Sequence, residues 1–180
     1  MFVIASFTDK MRWGYNTPMN ARVPADIEEL LRPFLPPGTN FDFELTFRRG
    51  GEISRVFGPT SMVARSFAAV SLSGQARNLQ IIGRSLMDLV ILDPAARDLD
   101  DAASIALLGH ESYHQWQFDN IPDFRRQYED AAARTPEDRP WENPFERPAY
   151  QAERAIFCDL VGRGVPAGPW IPLGVELWGC

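Results

Sequence analysis

Apolar and polar residues alternate without a break over Phe41-Asp42-Phe43-Glu44-Leu45-Thr46-Phe47, the period of a strand with one wet face. Ahead of it, Ala25 to Arg32 reads as a short helix, stopped by Pro33 and by Pro36-Pro37-Gly38. Arg48-Arg49-Gly50-Gly51 then forms a turn, and Glu52 to Phe57 is placed as the return strand of a hairpin. Ser66 to Leu72 and Leu86 to Leu92 are short apolar runs between turn signals and are expected as further strands, while Leu79 to Ile82 fits either a strand or the tail of a helix. From Asp100 the period changes. Asp100 or Asp101 can cap a helix, and Ala102 to Phe118 follows with no proline and a single glycine, Gly109. A second helix is expected from about Phe124 to Arg134, beginning at Pro122-Asp123. Pro136, Pro140, Pro144 and Pro148 then recur every four positions, which excludes a regular helix through them. A third helix is expected over roughly 148–161, and the Gly/Pro-rich remainder reads as an irregular strap packed by Trp170 and Trp178.

Strands gathered ahead of helices point to an α+β fold. At 180 residues the chain has room for one compact domain, read as residues 41–180, preceded by an arm with a short helix over 1–40. Neither a membrane span nor a basic, secretory-type N-terminus is present, so the expected location is the cytoplasm, with non-classical export left open. Cys158 and Cys180 make no disulfide framework and suit a reducing compartment. Eighteen basic residues against 24 acidic give a net charge of −6, and Lys10 is the sole lysine. Without a basic stripe interleaved with aromatic residues, nucleic acid is not an expected partner.

One constellation carries chemistry. His110-Glu111-Ser112-Tyr113-His114 is an HExxH pattern, and it falls in the best helix of the chain. Residues four apart project from one helix face about one turn apart, so both imidazoles can meet a single ion. The glutamate beside the first histidine is then placed to serve as general base. These are the only two histidines, and random placement would produce the pattern in fewer than about one in a thousand such chains. Ala102, Ala103, Ile105, Ala106, Leu107 and Leu108 make the first half of the helix apolar nearly all round, which implies burial. Two imidazoles and a carboxylate on a buried helix need something to pair them.

A zinc site of the catalytic type takes three protein ligands and keeps one position open. Lacking a third histidine, the chain must supply a carboxylate, and two candidates follow the proline loop. Glu146 lies in Asn143-Pro144-Phe145-Glu146-Arg147-Pro148-Ala149-Tyr150, where it could alternatively close a capping box with Asn143. Glu153 sits on the apolar stripe of Ala149, Ile156, Phe157 and Leu160, where a carboxylate demands a partner. The stretch LLGHESYHQWQ, followed some thirty residues on by NPFERPAYQAE, resembles the compact bacterial and phage HExxHxxQ metallopeptidase domains. These include domains encoded with extracellular contractile injection systems and, more distantly, the zinc peptidases that cleave phage repressors. The preceding AVSLSGQARNLQII is more loosely similar to the strand such domains place before the motif helix. The resemblance covers about 50 of the 180 residues. It implies a zincin-like fold of gluzincin type: a small twisted sheet packed on the HExxH helix, with a following helix that brings the third ligand. Their E-x-x-A element maps onto Glu146 and Ala149, which implies the metal ligands His110, His114 and Glu146. Pro148 departs from the pattern, since such domains carry a helix-compatible residue there.

The expected function is zinc-dependent hydrolysis of peptide bonds, with Zn²⁺ as cofactor, Glu111 as catalytic base and a protein or peptide as substrate. The alternative is a zinc-stabilised structural or interaction domain without catalysis, such as a phage or secretion-particle component. Leu86 to Leu92 is expected as a sheet edge able to hold an extended peptide. Gln117, three residues past His114, is either an orienting group or an exposed helix end, and Tyr150 either an oxyanion donor or ordinary packing. Tyr113 and Trp116 read as packing, Asp159 as a residue near the site or on the surface, and the Asp98, Asp100 and Asp101 cluster as helix N-terminal charge.

Overall fold

A computed structural model of the protein describes residues 21–47, 83–86, 89–136 and 138–180. The hairpin partner expected over 52–57 and the elements expected over 66–72 and 79–82 lie outside these residues. In chain order the described elements are helix α1 (Ala25–Leu31), strands β1 (Glu44–Phe47), β2 (Gly83–Leu86) and β3 (Leu89–Leu92), and helices α2 (Ala102–Asn120), α3 (Phe124–Ala132), α4 (Glu146–Gly162) and α5 (Leu173–Trp178). Single 3-10 turns occupy Arg32–Phe34, Pro94–Ala96 and Pro140–Glu142, each with a proline in its first two positions. Mixed helix and sheet of this kind is an α+β arrangement.

Among the described residues the sheet has three strands in the order β1-β3-β2. β1 runs parallel to β3, Glu44 opposite Leu89, and β2 runs antiparallel to it, Leu86 opposite Leu89. The single strand expected over 86–92 is therefore two strands. Since β3 is central, its backbone groups are committed on both sides, and it is not the peptide-accepting edge that the apolar run suggested. The apolar run is explained by burial on both faces: successive side chains point to opposite sides of the sheet, and Val90, Ile91 and Leu92 are all fully buried.

Burial of α2 is nearly continuous from Ala102 to Ser112, as its apolar first half requires. The helix packs along α4 and against α1, β2 and β3. Residues 21–35 join the same core through Val23, Ile27, Leu31 and Leu35, and Ala21 bridges Leu45 of β1. The Asp101 carboxylate accepts from Ser104 N at 2.8 Å, capping α2, while the N–H groups of Ala102 and Ala103 donate to the carbonyls of Pro166 and Ala167. Four orphan donors open any helix; here the C-terminal strap covers two of them.

That strap differs from its expected form. Leu173–Trp178 is a helix, and Trp178 is among the exposed apolar side chains, while Trp170 does pack against the core. α4 begins two residues earlier than expected, at Glu146, with Pro148 as its third residue. A proline is tolerated there because the first-turn N–H groups have no intrahelical acceptor. Cys158 and Cys180 are joined in a disulfide across a separation of 22 residues. The two cysteines thus give no support to a reducing compartment, since a disulfide persists where conditions are oxidising.

Candidate metal centre

The HExxH residues occupy the second half of the buried stretch of α2. His110, Glu111 and His114 are 6%, 4% and 7% exposed, so the motif is not a solvated surface helix. One helical turn apart, the imidazoles turn the same ring atom inward, and their Nε2 atoms lie 3.2 Å from each other. α4 crosses α2 and brings Glu146 to the same point: its Oε2 is 3.3 Å from His110 Nε2 and 3.4 Å from His114 Nε2. Among the described residues these three form the cluster whose donor atoms converge as a metal would need.

Glu153, the other candidate, is also buried but points elsewhere. Its Oε2 accepts from the backbone N–H of Gly174 at 3.0 Å, tying α4 to α5. That approach requires glycine, because a Cβ at position 174 would collide with the Tyr150 carbonyl oxygen. Asn143 does not close a capping box with Glu146. Its side-chain oxygen accepts from Phe145 N at 2.9 Å, bending the chain into α4.

Two further side chains hold the cluster. Gln117 is 2% exposed, and its Oε1 lies 2.7 Å from His114 Nδ1 while its Nε2 donates to the Phe145 carbonyl at 2.9 Å. It therefore fixes the His114 ring and the entry to α4 together. Tyr128, on α3, donates its phenolic hydrogen to Glu146 Oε1. Sequence reasoning missed Tyr128. Its only signal is the Phe124, Tyr128, Ala131 stripe on a helix whose other residues, Ala132 apart, are charged or polar, which marks an inward face without naming its target.

Tyr150 places its ring edge-on to His110, with centroids 4.6 Å apart. Burial, aided by the surrounding carboxylates, holds its hydroxyl well above the ordinary tyrosine range, so it is a neutral donor. Tyr113 and Trp116 pack against each other, and Asp159 pairs with Arg163 at 2.8 Å on the surface side of α4.

Charge around this cluster is unbalanced. Glu111, Glu146 and Glu153 are all buried within reach of His110. Burial alone would lower the His110 pKa, but the hydrogen bond that the ring donates to Glu146 and the charges of Glu153, Glu146 and Glu111 override it and push the ring up to about 9. Burial would likewise raise Glu146, yet the charge of His114 and the hydrogen bonds from both imidazoles hold it well below the ordinary carboxylate range. Glu153, with weaker partners, is pushed up to about 7, burial being the main cause. Three buried carboxylates around two imidazoles form an environment suited to a cation.

The donor set fits zinc in a direct way. Tetrahedral Zn²⁺ with Zn–N of about 2.0–2.1 Å and Zn–O of about 2.0–2.2 Å sets its ligand atoms roughly 3.3–3.5 Å apart. The three separations here are 3.2, 3.3 and 3.4 Å. His110 Nδ1, on the outer side of its ring, is buried and finds no hydrogen-bond partner among the described residues, whereas His114 Nδ1 has Gln117. No protein-family model, no curated protein and no solved structure matches this chain, so the site rests on the geometry of its own residues.

Proposed function

We propose that the protein is a zinc-dependent peptidase of zincin-like architecture, with His110, His114 and Glu146 as ligands and Glu111 as the proton-transfer group. The observation that carries this reading is the near-equilateral triangle of two imidazole nitrogens and one carboxylate oxygen, whose edges match those of a tetrahedral zinc site. Two nitrogens and one oxygen are also the ligand set that catalytic zinc uses in peptidases, leaving a fourth position open. Bound there, zinc supplies a Lewis acid for the substrate carbonyl and lowers the pKa of water toward neutrality.

The protein's own groups do the rest. Glu111 follows His110 directly, is buried, and acts electrostatically on His110, Tyr150 and Glu153. It takes a proton as water adds to the carbonyl carbon and returns it to the amine nitrogen as the C–N bond breaks. Gln117 fixes the His114 ring through Nδ1, leaving Nε2 to face the ion. Tyr150, held neutral beside His110, is a hydrogen-bond donor for the oxygen that gains charge.

A second reading draws on the burial of both imidazoles: a zinc-stabilised domain in which the site has no turnover. Elemental analysis and inhibitor binding separate the cases. The peptidase reading expects about one zinc per chain, capture of a hydroxamate at the open position, and cleavage of an unstructured protein substrate. Zinc without hydroxamate binding or cleavage would establish the structural role, and absence of zinc after supplementation would remove both.

A further inference from the structure

Glu146 uses its two oxygens differently. Oε2 faces both imidazoles, and Oε1 accepts the hydrogen of Tyr128. A carboxylate can clasp a metal with both oxygens or bind it with one. An oxygen that accepts a phenolic hydrogen has committed a lone pair away from the ion, and the bond keeps the carboxylate from rotating into a symmetric clasp.

The phenol is held by a cage drawn from three elements. Its ring lies 5.7 Å from Phe124 within α3, 6.4 Å from Phe145 at the entry to α4, and 6.1 Å from the His114 ring on α2. Phe124 in turn sits edge-on to Phe118 at 4.7 Å and to Phe145 at 5.4 Å. Gln117 bonds the Phe145 carbonyl, so the residue before Glu146 is fixed from the opposite side. Both the donor and the carboxylate that receives it are thereby set by packing.

Resting on the metal centre proposed above, we infer that Tyr128 is a positioning residue that holds Glu146 as a one-oxygen ligand and so keeps the fourth coordination position free for water and substrate. Removal of the hydroxyl frees Oε1 to join the coordination sphere. A second Glu146 oxygen on the ion would compete with water for the open position.

The test is Tyr128→Phe, which deletes one oxygen and leaves the ring cage filled. Both proteins are stripped of metal, loaded with cobalt(II) and compared by visible absorption, which weakens as the coordination number rises from four to five. Zinc affinity is read by competition with a chromophoric chelator. The expected result is a four-coordinate spectrum for the wild-type protein, a weaker, shifted band for the variant, and a zinc affinity altered about tenfold or more, as for loss of other outer-sphere partners. Identical spectra, or an affinity change with no spectral change, overturn the positioning role while leaving the metal centre standing. Absence of a cobalt band in both proteins overturns the metal centre and this inference with it.

Discussion

Substituting Gly109 by alanine inserts one methyl group into the contact where α2 crosses α4, one residue before the first histidine. An ideal Cβ there lies well inside van der Waals contact of Ile156 Cδ1 and 3.2 Å from Leu31 Cδ2. Ile156 and Leu31 are 1% and 0% exposed, so neither can swing into solvent to make room. Overpacking of this kind costs about 1–3 kcal/mol. Alanine gains roughly 1 kcal/mol over glycine in a helix interior. The clash therefore wins by about 1 kcal/mol. Ile156→Val deletes the Cδ1 methyl and alone costs about 1 kcal/mol. In the double variant the new methyl occupies the space just vacated, the severe clash is gone, only the milder 3.2 Å approach to Leu31 is left, and the helix gain remains, so its net cost falls to about zero. Independent effects would sum to about 2 kcal/mol, which makes the expected coupling about 2 kcal/mol in favour of the pair. Urea unfolding of the metal-free single and double variants measures all three legs. Additivity within about 0.5 kcal/mol would show that these two atoms do not meet, and that α2 and α4 are spaced differently. Because Glu146 rides on α4 and both histidines on α2, the same spacing sets the edges of the ligand triangle.

Glu111→Gln should keep metal content near wild type and abolish cleavage, measured by elemental analysis beside a peptide-release assay; loss of zinc from this variant would make Glu111 a ligand rather than a base. Glu146→Ala should lower zinc affinity by far more than Glu153→Ala, read by chelator competition, since only Glu146 faces both imidazoles. Reduction of Cys158–Cys180, verified by thiol titration, should lower unfolding stability by about 3.4 kcal/mol for a loop of 22 residues. Unchanged stability would mean that the strap is held by its other contacts, including Arg154 to the Gly179 carbonyl. For the metal-free protein, the folded pKa of about 9 at His110 lies above its ordinary 6.5, so its contribution is full below 6.5 and lost as pH rises through 9. Glu153, raised to about 7, acts in the same sense between 4.5 and 7, while Glu146, depressed, stabilises above 4.5 and loses that contribution at lower pH. Urea midpoints in the presence of chelator should therefore fall from about pH 6 to pH 9, while zinc affinity rises over the same range as the His110 proton is displaced. A metal-free midpoint that peaks at pH 9 would refute the charge arrangement.

The motif helix was legible because its signals are local. A four-residue spacing fixes the relative direction of two side chains on a helix, and an aspartate before an apolar run fixes its start. α1, α2 and α3 consequently lie close to where the periodicity placed them. Local rules misread Leu86 to Leu92 as one strand, since Asp88, a single polar residue in an otherwise hydrophobic stretch, was too weak a turn signal to mark where the chain reverses. Pro148 misled in the opposite direction: a helix breaker in general, it is harmless in a first turn, and α4 therefore starts earlier.

From the sequence alone came the two imidazoles on one helix face, the glutamate beside them, and the need for a carboxylate from beyond the proline loop. Each follows from spacing along a single helix or from the inventory of available ligands. Which carboxylate turns inward, the Tyr128 hydroxyl on its second oxygen, the Gln117 bridge from His114 to Phe145, and the pairing of Cys158 with Cys180 were decided by tertiary structure. Glu146 and Glu153 lie on one helix two turns apart, and both are buried. Only the crossing of α4 over α2 and the docking of α5 onto α4 give one of them the imidazoles and the other a backbone N–H. Such packing relations depend on residues distant in sequence, and no periodicity within one element encodes them.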